Sequence, residues 1–436
     1  MTGPEAEGRR PAFREAFRFW LELGFVNFGG PAGQIALMHR ELVERRKWIG
    51  EERFLHALNY CMLLPGPEAQ QLAIYVGWML HGARGGLVAG TLFIAPAFVL
   101  MLALSWIYAV HGQVAWVAAL FGGLRAAVIA IVAAAVLRIG ARALTRPGAR
   151  IVAAAAFLAL FVFDAPFPLV VGAAAAVGWA SSRAPSSAPP PIAEATPLPR
   201  GRPFLTLAAG LAAWWLPLLG VMAVFGRDHV LSREAVFFSK AAMVTFGGAY
   251  AVLSYIDQAA VHQYGWLEPG HMLDGLGLAE TTPGPLIMVT EFVGYLGAFR
   301  NPGGLSPPVA GALGAAVTVW ATFAPCFLWI FLGAPYIERL RGRRSLDAAL
   351  SAITAAVVGV ILNLAVVLAL HTLFRKVAIV RWGIIRVPLV DLASLDAFAL
   401  VLAIVCFVGL TRARWPDALV ILGSALAGAA RWAVQR

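Results

Sequence analysis

The chain has 436 residues, of which 60% are hydrophobic and 13% are charged, and its formal net charge is +11. Soluble domains carry about 25% charged residues, so this composition excludes a soluble enzyme, and the few cysteines exclude a disulfide scaffold. The basic residues lie between apolar segments and are therefore interpreted as topology signals rather than as a nucleic-acid-binding surface. We predict an all-α polytopic membrane protein.

Stretches without charged residues locate the membrane-spanning segments, because one crossing needs about 20 apolar residues. About 13 hydrophobic segments result from a count on this basis. The short pairs within 150–181 and 395–434 can each be counted differently. The predicted segments are 17–38, 54–80, 85–110, 114–137, 150–163, 167–181, 203–225, 234–256, 271–298, 305–332, 346–372, 395–411 and 415–434.

A proline-rich stretch divides the chain into two halves of similar length. Prolines recur among Ser, Ala and Arg between Ser181 and Pro203, and such a composition cannot bury enough apolar surface to fold. We therefore predict an extended, mobile linker. The predicted domains are a first repeat at 1–181, the linker at 182–203, an extra connecting transmembrane helix at 204–226 and a second, inverted repeat at 227–436.

The two halves share sequence elements that recur in one constant register along the chain. A single tripeptide is weak evidence, since Phe121-Gly122-Gly123 also occurs without the other elements around it. The common register is what indicates an internal repeat of about six segments in each half. The recurring pairs are FGG at 28–30 and 246–248, Trp48 and Trp266, PGP at 65–67 and 283–285, and GGL at 85–87 and 303–305.

Loop charges indicate that the two repeats are inverted relative to each other. Loop 39–53 contains five Lys and Arg residues, whereas the equivalent loop 257–270 contains none. Because short basic loops stay in the cytoplasm, the two loops are expected on opposite membrane faces. Loop 39–53 stays inside only if the FGG and PGP segments are broken or re-entrant helices. This topology has a cytoplasmic N-terminus and a periplasmic C-terminus, and it leaves the basic loop 375–386 outside, against the charge rule.

Inverted repeats are typical of secondary transporters, which bind substrate near the membrane midplane between broken helices. The FGG and PGP motifs force such breaks, since proline removes a hydrogen-bond donor and glycine adopts unusual backbone angles. The N–H groups freed at the following helix start predict an anion site. The alternative is a kink or close helix packing, as at Gly86 and Gly90. The candidate substrate-binding residues are Asn27, Gly29, Gly30, Pro31, Pro65, Gly66, Pro67, Thr245, Gly247, Gly248, Thr281, Thr282, Pro283, Gly284 and Pro285.

Ionisable residues within apolar segments are candidates for coupling or charge pairing, because charges at membrane depth are costly and usually functional. Glu68 directly follows PGP, where a protonated carboxyl would couple anion movement to protons. The alternative is a structural pair of Glu68 with Arg125, and Arg125 could equally contact the oxyanion. The sequence contains no ATP-binding or metal-binding motif and no catalytic pair, so no cofactor, metal or enzymatic activity is expected. The candidates are Glu68, Arg125, Glu280 and Glu291.

These motifs together resemble the chromate ion transporter family in its long, two-domain form. The resemblance implies a bacterial inner-membrane protein that exports chromate and confers chromate resistance, with sulfate-like oxyanions as related substrates. The motifs that carry it are FGGP at 28–31, ELV at 41–43, RKW at 46–48, LPGP at 64–67, FGGAY at 246–250 and TPGP at 282–285.

The expected partners are the oxyanion and the lipid bilayer, and nucleic acid is not expected. A proton or a counter-anion as the coupling species, and a homodimer as the assembly, are left open. An inside-negative membrane potential favours export, since two charges gain about 4.6 kcal/mol per 100 mV. Chromate and sulfate share shape and charge, so a sulfate or other oxyanion permease or exchanger is the first alternative, and an intramembrane enzyme ranks below it.

Overall fold

The computed structural model describes residues 11–27, 30–62, 64–112, 114–181, 203–245, 249–333, 344–374, 376–383 and 385–434. The predicted linker at 182–203 lies outside these residues apart from Pro203. Residues 28–29 and 246–248, which make up most of the two FGG motifs, also lie outside them.

The helices of the first half follow the predicted segments closely. A π-helical turn, Arg40–Arg45, continues α2. Helix α8, Pro203–Phe225, covers the stretch for which the extra connecting helix is predicted. The other bounds are α1 Phe13–Val26, α2 Gly30–His39, α3 Glu51–Cys61, α4 Glu68–His111, α5 Ala115–Ala143, α6 Pro147–Phe161 and α7 Phe167–Ser181.

The second half repeats this succession and adds a β-hairpin. A second π-helical turn, Ala259–Gln263, continues α10, and a short 3-10 turn, Leu286–Met288, precedes α12. The bounds are α9 Val230–Met243, α10 Ala249–Gln258, α11 His271–Thr281, α12 Val289–Arg300, α13 Pro307–Gly333, α14 Arg344–Leu373, β1 Val377–Trp382, β2 Ile385–Val390, α15 Ala397–Thr411 and α16 Asp417–Val434.

Several of these helices are suited to a bilayer. Within the described residues, six are long and apolar enough to cross a membrane, and α6, α7 and α15 are shorter apolar helices. In a bilayer a helix is favoured because it satisfies every backbone group within its own segment. The predicted all-α polytopic class is confirmed.

The helix breaks fall where the motifs predict them. Asn27 separates α1 from the following FGG motif, and the PGP motif at 65–67 separates α3 from α4. Helix α4 is interrupted at His81 and Gly82, where the backbone is non-helical and Gly82 has a φ of 62°. This interruption falls between the two segments predicted at 54–80 and 85–110, so α4 is two helices joined at a kink.

The β-hairpin occupies the stretch where the sequence predicts only a basic loop, 375–386. The turn between its two antiparallel strands includes Gly383 with a φ of 61°. The Arg386 N–H donates to the Val162 carbonyl oxygen at 2.7 Å, and the Arg386 guanidinium lies 2.8 Å from an oxygen of Asp164. Arg386 is therefore a paired residue, which weakens its value as a topology signal.

Local backbone geometry repeats in the same register as the sequence. Trp48 N–H donates to the Leu42 carbonyl oxygen at 2.8 Å, and Trp266 N–H donates to the Ala260 carbonyl oxygen at 2.8 Å. Each tryptophan is buried, and each follows the π-helical turn of its own half. The two segments between FGG and PGP therefore share a common local fold.

The chain forms two compact units, and each takes segments from both halves of the sequence. Unit 1 comprises 1–103, 190–248 and 282–341, and unit 2 comprises 104–189, 249–281 and 342–436. The units are defined by contacts within each of them, and their boundaries differ from those of the sequence repeats. The repeat boundaries therefore stay a prediction.

Candidate substrate site

The two PGP breaks and the residues before the two FGG motifs meet inside unit 1. Gly66 N–H donates to the Thr245 carbonyl oxygen at 2.8 Å, and Gly284 N–H donates to the Asn27 carbonyl oxygen at 3.3 Å. In the register of the repeat, Gly284 is the equivalent of Gly66, and Thr245 is the equivalent of Asn27. The sequence repeat therefore relates the two hydrogen bonds to each other. In each of them, a PGP glycine of one half donates to the residue before the FGG motif of the other half.

We call these two backbone contacts, Gly66 with Thr245 and Gly284 with Asn27, the crossings. A buried amide side chain supports the second crossing. Gln34 Nε2 donates to the carbonyl oxygens of Gly284 at 2.6 Å and Asn27 at 2.9 Å. Asn27 Nδ2 in turn donates to the Phe93 carbonyl oxygen at 3.2 Å. Carbonyl groups released by a helix break need donors when no water is present, and Gln34 supplies both.

Glycine is required at the two crossings because the backbone angles are left-handed and the space is small. Gly66 has a φ of 124° and Gly284 a φ of 111°. A Cβ at Gly66 would lie 2.7 Å from Gln71 Nε2 and 2.8 Å from Cys326 Sγ, and one at Gly284 would overlap Ala97 Cβ. A side chain at either glycine would separate the two backbone segments that its hydrogen bond joins.

Close helix packing, the alternative explanation for small residues, accounts for Gly86 and Gly90. A Cβ at Gly86 would lie 2.6 Å from the Phe331 ring, and one at Gly90 would lie 2.7 Å from the Phe327 ring. Both phenylalanines belong to α13, so these two glycines admit α13 against α4. Gly86 and Gly90 therefore allow close helix packing, whereas Gly66 and Gly284 allow the backbone breaks.

The sequence analysis missed Gln70, a fully buried residue in the first turn of α4. Neither its Nε2 nor its Oε1 has a hydrogen-bond partner among the described residues. The first N–H groups of a helix also lack intrahelical acceptors, so the start of α4 is a candidate anion site. The signal in the sequence is a pair of glutamines, Gln70 and Gln71, within an apolar segment directly after PGP.

Two predicted hydroxyl ligands are bonded within their own helices. Thr245 Oγ1 donates to the Ala241 carbonyl oxygen at 2.7 Å, and Thr281 Oγ1 donates to the Leu278 carbonyl oxygen at 2.7 Å. Each carbonyl belongs to the helix that ends at or just before the threonine. These hydroxyls stabilise helix ends, and the backbone carbonyl of Thr245, rather than its side chain, takes part in the crossing.

Arg125 has a carboxylate partner, and that partner is Asp274 rather than Glu68. Within unit 2, Arg125 Nε and Nη2 donate to the two oxygens of Asp274 at 2.6 Å each. Tyr108 also donates to Asp274 at 2.6 Å, and Asp274 is fully buried. This bidentate arrangement is the structural pair that the sequence analysis considered for Arg125, with a different acid.

Glu280 is likewise hydrogen-bonded within unit 2. Tyr250, from the FGGAY motif, donates its hydroxyl to Glu280 Oε1 at 2.6 Å. Glu68, by contrast, is the first residue of α4 in unit 1 and is partly exposed. Glu291, also in unit 1, is fully buried in the first turn of α12.

The predicted site residues thus fall into three groups. Arg125, Glu280 and Thr281 belong to unit 2, whereas Gly29, Gly247 and Gly248 lie outside the described residues. Unit 1 contains Asn27, Gly30, Pro31, Pro65, Gly66, Pro67, Glu68, Thr245, Thr282, Pro283, Gly284, Pro285 and Glu291.

The described part of the chain contains no group of three or more His, Cys, Asp or Glu residues that could hold a metal ion. Its cysteines, Cys61, Cys326 and Cys406, are free and buried. What the arrangement offers chemically is hydrogen bonding at a pair of helix breaks. The fold and this site together define a multi-pass α-helical membrane protein with matched helix breaks in two sequence repeats.

The chain belongs to the chromate transporter family. The family model described as "Chromate transporter" matches residues 14–179 and 234–429, one region in each half. The resemblance inferred from the FGG and PGP motifs is therefore confirmed.

Named relatives cover most of the chain. It is 30% identical to the "Chromate transport protein" of Cupriavidus metallidurans, over 82% of each chain. It is 31% identical to the "Chromate transport protein" of Pseudomonas aeruginosa, over 80% of this chain and 79% of the relative. The "Probable chromate transport protein" of Synechococcus elongatus is 28% identical over 83% of this chain and 86% of its own. No solved structure matches the chain significantly.

Proposed function

We propose that this protein is a secondary transporter that exports chromate across the bacterial inner membrane and thereby confers chromate resistance. The observation that carries the proposal is the reciprocal hydrogen bonding of the two breaks, Gly66 with Thr245 and Gly284 with Asn27. Matched broken helices from two repeats are the arrangement in which secondary transporters bind their substrates. The names of the three relatives support chromate as the substrate.

The oxyanion binds at the start of α4, beside the PGP break. The N–H groups of the first helical turn and the positive end of the helix dipole favour an anion. Gln70 adds a side-chain donor that no described protein group occupies. Gly66 keeps its backbone contact with Thr245 close to the start of α4, and Gln34 satisfies the two carbonyls of the other contact, Asn27 with Gly284.

The membrane potential drives the substrate outward. With the cytoplasm negative, a dianion gains about 4.6 kcal/mol per 100 mV on leaving the cell. The proposed orientation has the N-terminus in the cytoplasm and the C-terminus in the periplasm. Glu68, Glu280 and Glu291 are the acids available for coupling, and the proposal includes no chemical conversion of the substrate.

A sulfate permease or exchanger is the second candidate, because sulfate has the shape and charge of chromate and its oxygens accept the same hydrogen bonds. The test is uptake of radiolabelled chromate into inverted membrane vesicles, with and without excess sulfate. An exporter fills inverted vesicles with chromate under an imposed potential, and sulfate competes only if it shares the site.

The sign of accumulation in whole cells separates the two candidates. Cells that express the chain should accumulate less chromate than cells that carry an empty vector. A sulfate importer would raise chromate entry instead. Equal accumulation at verified expression would refute transport of chromate in either direction.

A further inference from the structure

Two fully buried carboxyl groups lie in unit 1 on helices of the second half, Glu234 on α9 and Glu291 on α12. None of their four carboxyl oxygens has a hydrogen-bond partner among the described residues. An ionised carboxylate in such a place carries a large desolvation cost unless a cation or a donor compensates it.

Glu234 lies beside the contact between α12 and α13, and Glu291 is in the first turn of α12 itself. At this contact Gly294 and Gly314 approach so closely that a Cβ on Gly314 would overlap the Gly294 carbonyl oxygen. The same Cβ would lie 2.9 Å from Glu234 Oε2. Glu291 is one helical turn before Gly294, and residues three apart share a helix face.

An unpartnered hydroxyl lies at the same contact. A Cβ on Gly294 would overlap Thr318 Oγ1, and Thr318 is fully buried with no hydrogen-bond partner for that oxygen among the described residues. The contact is therefore lined by carboxyl, hydroxyl and carbonyl oxygens. The carboxylate and carbonyl oxygens accept hydrogen bonds and attract a positively charged particle, and the hydroxyl can accept as well.

No cation on the described residues of α8, α9, α12 or α13 supplies that charge. Helices α8 and α13, which pack on α9, contain no charged residue, and Arg233 and Lys240 of α9 are exposed to the surroundings. Arg300 of α12 is also exposed, at the far end of its helix from Glu291. Other titratable or charged groups on the packed elements include Tyr295 of α12, Cys326 of α13, His229 before α9, and Glu68, His81 and Arg84 on α4, which packs on α13.

The two acids are also absent from the first repeat. The equivalent positions there are Ala16 and Ala73, which are buried alanines. The two repeats therefore differ at these buried positions, where one has methyl groups and the other has carboxyls. We propose that Glu234 and Glu291 form a proton-binding site in unit 1, and that the protein exports the oxyanion in exchange for protons that bind there on their way into the cell. In each exchange a carboxylate gains one proton and becomes neutral, and then releases it.

This coupling rests on the proposed transport function, so the experiment measures transport and protonation separately. The full chain and its Glu234→Gln/Glu291→Gln variant are reconstituted in vesicles with a clamped membrane potential. Chromate flux is followed by radiolabel and proton flux by an enclosed pH-sensitive dye. A matched control is Glu22→Gln, which changes an acid of unit 1 whose side chain is 71% exposed.

For the unchanged chain and the control we expect proton movement with every chromate movement, and a chromate flux that depends on pH. The double glutamine variant should lose the proton movement and the pH dependence while it retains chromate flux. Proton movement that persists in the double variant would overturn the proposal, and so would chromate flux without protons in the unchanged chain. A requirement for sodium that disappears in the variant would overturn it as well, in favour of a sodium site.

Infrared spectroscopy measures the protonation of the carboxyl groups independently of transport. The purified full chain should show the carbonyl stretch of protonated carboxyls near neutral pH, and part of that band should disappear in the double variant. The band should also shrink as the pH rises. If the band titrates but the chain moves no chromate, the transport function fails and the proton site stands. If the band is unchanged by the substitutions, the proton site fails whatever the transport result.

Discussion

Three acids of unit 2 have hydrogen-bond partners, whereas two fully buried acids of unit 1 have none among the described residues. In unit 2 Asp274 is held by Arg125 and Tyr108, Glu280 by Tyr250, and Asp164 by Arg386. In unit 1 the acids Glu234 and Glu291 and the amide of Gln70 have no hydrogen-bond partner among the described residues.

The paired groups of unit 2 stabilise the fold, whereas the unpartnered groups of unit 1 are available to a ligand, a proton or a water. A paired buried charge loses its compensation when its partner is removed, whereas an unpaired polar group reduces stability as it stands. Unpartnered buried groups persist where a ligand, a proton or a water completes them. We therefore expect substitutions in unit 2 to act mainly on folding and those in unit 1 mainly on transport.

The largest effect should follow from breaking the Arg125–Asp274 pair of unit 2. Arg125→Met leaves the fully buried Asp274 carboxylate without its cation, a loss that costs about 3–5 kcal/mol in soluble proteins. We expect little folded protein, measured as monodisperse yield and melting temperature in detergent. The double variant Arg125→Met/Asp274→Leu should recover much of the yield, because no charge is left buried alone.

The matched control for this pair is on the surface of unit 1. Arg233 and Asp228 lie 3.5 Å apart with exposed side chains, and Arg233→Met should leave the yield unchanged. If Arg125→Met folds as well as this control, the interpretation of unit 2 as a charge-paired scaffold is wrong.

The second effect concerns the crossing in unit 1. Gly284→Ala places a methyl group against Ala97 at a backbone φ of 111°, with a strain of about 1–3 kcal/mol. We expect chromate flux to fall strongly while most of the protein still reaches the membrane. The measurement is initial flux in reconstituted vesicles, normalised to the folded protein.

A second glycine separates backbone strain from the crossing itself. Gly304 also has a left-handed φ, 93°, but nothing lies within 4 Å of its Cβ position. Gly304→Ala should therefore carry strain without moving the PGP break and should transport nearly normally. Equal losses of flux in Gly304→Ala and Gly284→Ala would contradict a special role for the crossing.

A smaller effect should come from Gln70. Gln70→Leu removes an amide that has no partner among the described residues, so folding should be unchanged or improved. A hydrogen bond to a charged group contributes about 1.5–3 kcal/mol, so chromate affinity should fall about 10- to 100-fold. The half-saturating chromate concentration in vesicles measures this.

The neighbouring glutamine provides the opposite pattern. Gln71 Nε2 donates to the Pro65 carbonyl oxygen at 2.7 Å, so Gln71→Leu leaves that carbonyl unsatisfied and lowers the melting temperature. If Gln70→Leu lowers stability and spares affinity, Gln70 belongs to the scaffold rather than to the oxyanion site.

The smallest perturbation tests the topology. In a background without the three native cysteines, Arg45→Cys and Glu268→Cys introduce thiols at exposed positions in the two equivalent loops. Because the basic loop should stay in the cytoplasm, an impermeant thiol reagent applied to whole cells should label only the second. Labelling of both thiols, or of neither, would show that the loops do not lie on opposite faces.

The sequence alone predicts the helical segments well, because long apolar stretches between charged residues directly determine where a chain crosses a bilayer. It also predicts the helix breaks, since glycine and proline act on the local backbone. It does not predict that Gly66 would pair with Thr245, because the hydrogen bond joins carbonyl and amide groups that nearly every residue has. It does not predict the β-hairpin, because the basic residues of this stretch favour an exposed loop, although Val377, Ile379 and Val387 are residue types typical of strands.

The site is only partly predictable for a related reason. Glycine and proline motifs identify the crossings, and intramembrane acids identify Glu291. The partners of Arg125 and Glu280 are Asp274 and Tyr250, which lie 149 and 30 residues away along the chain. Gln70 carries no charge, and only its burial without a partner among the described residues distinguishes it.

The crossed hydrogen bonds also constrain how the protein is made. The backbone groups of Asn27 and Gly66 leave the ribosome early, but their partners at Gly284 and Thr245 are synthesised only in the second half of translation. Until then the first-half breaks have open backbone groups in the bilayer, which is costly without protein or water around them. A nascent chain stalled before Thr245 should therefore be the stage at which quality-control proteases and insertion factors recognise this protein most readily.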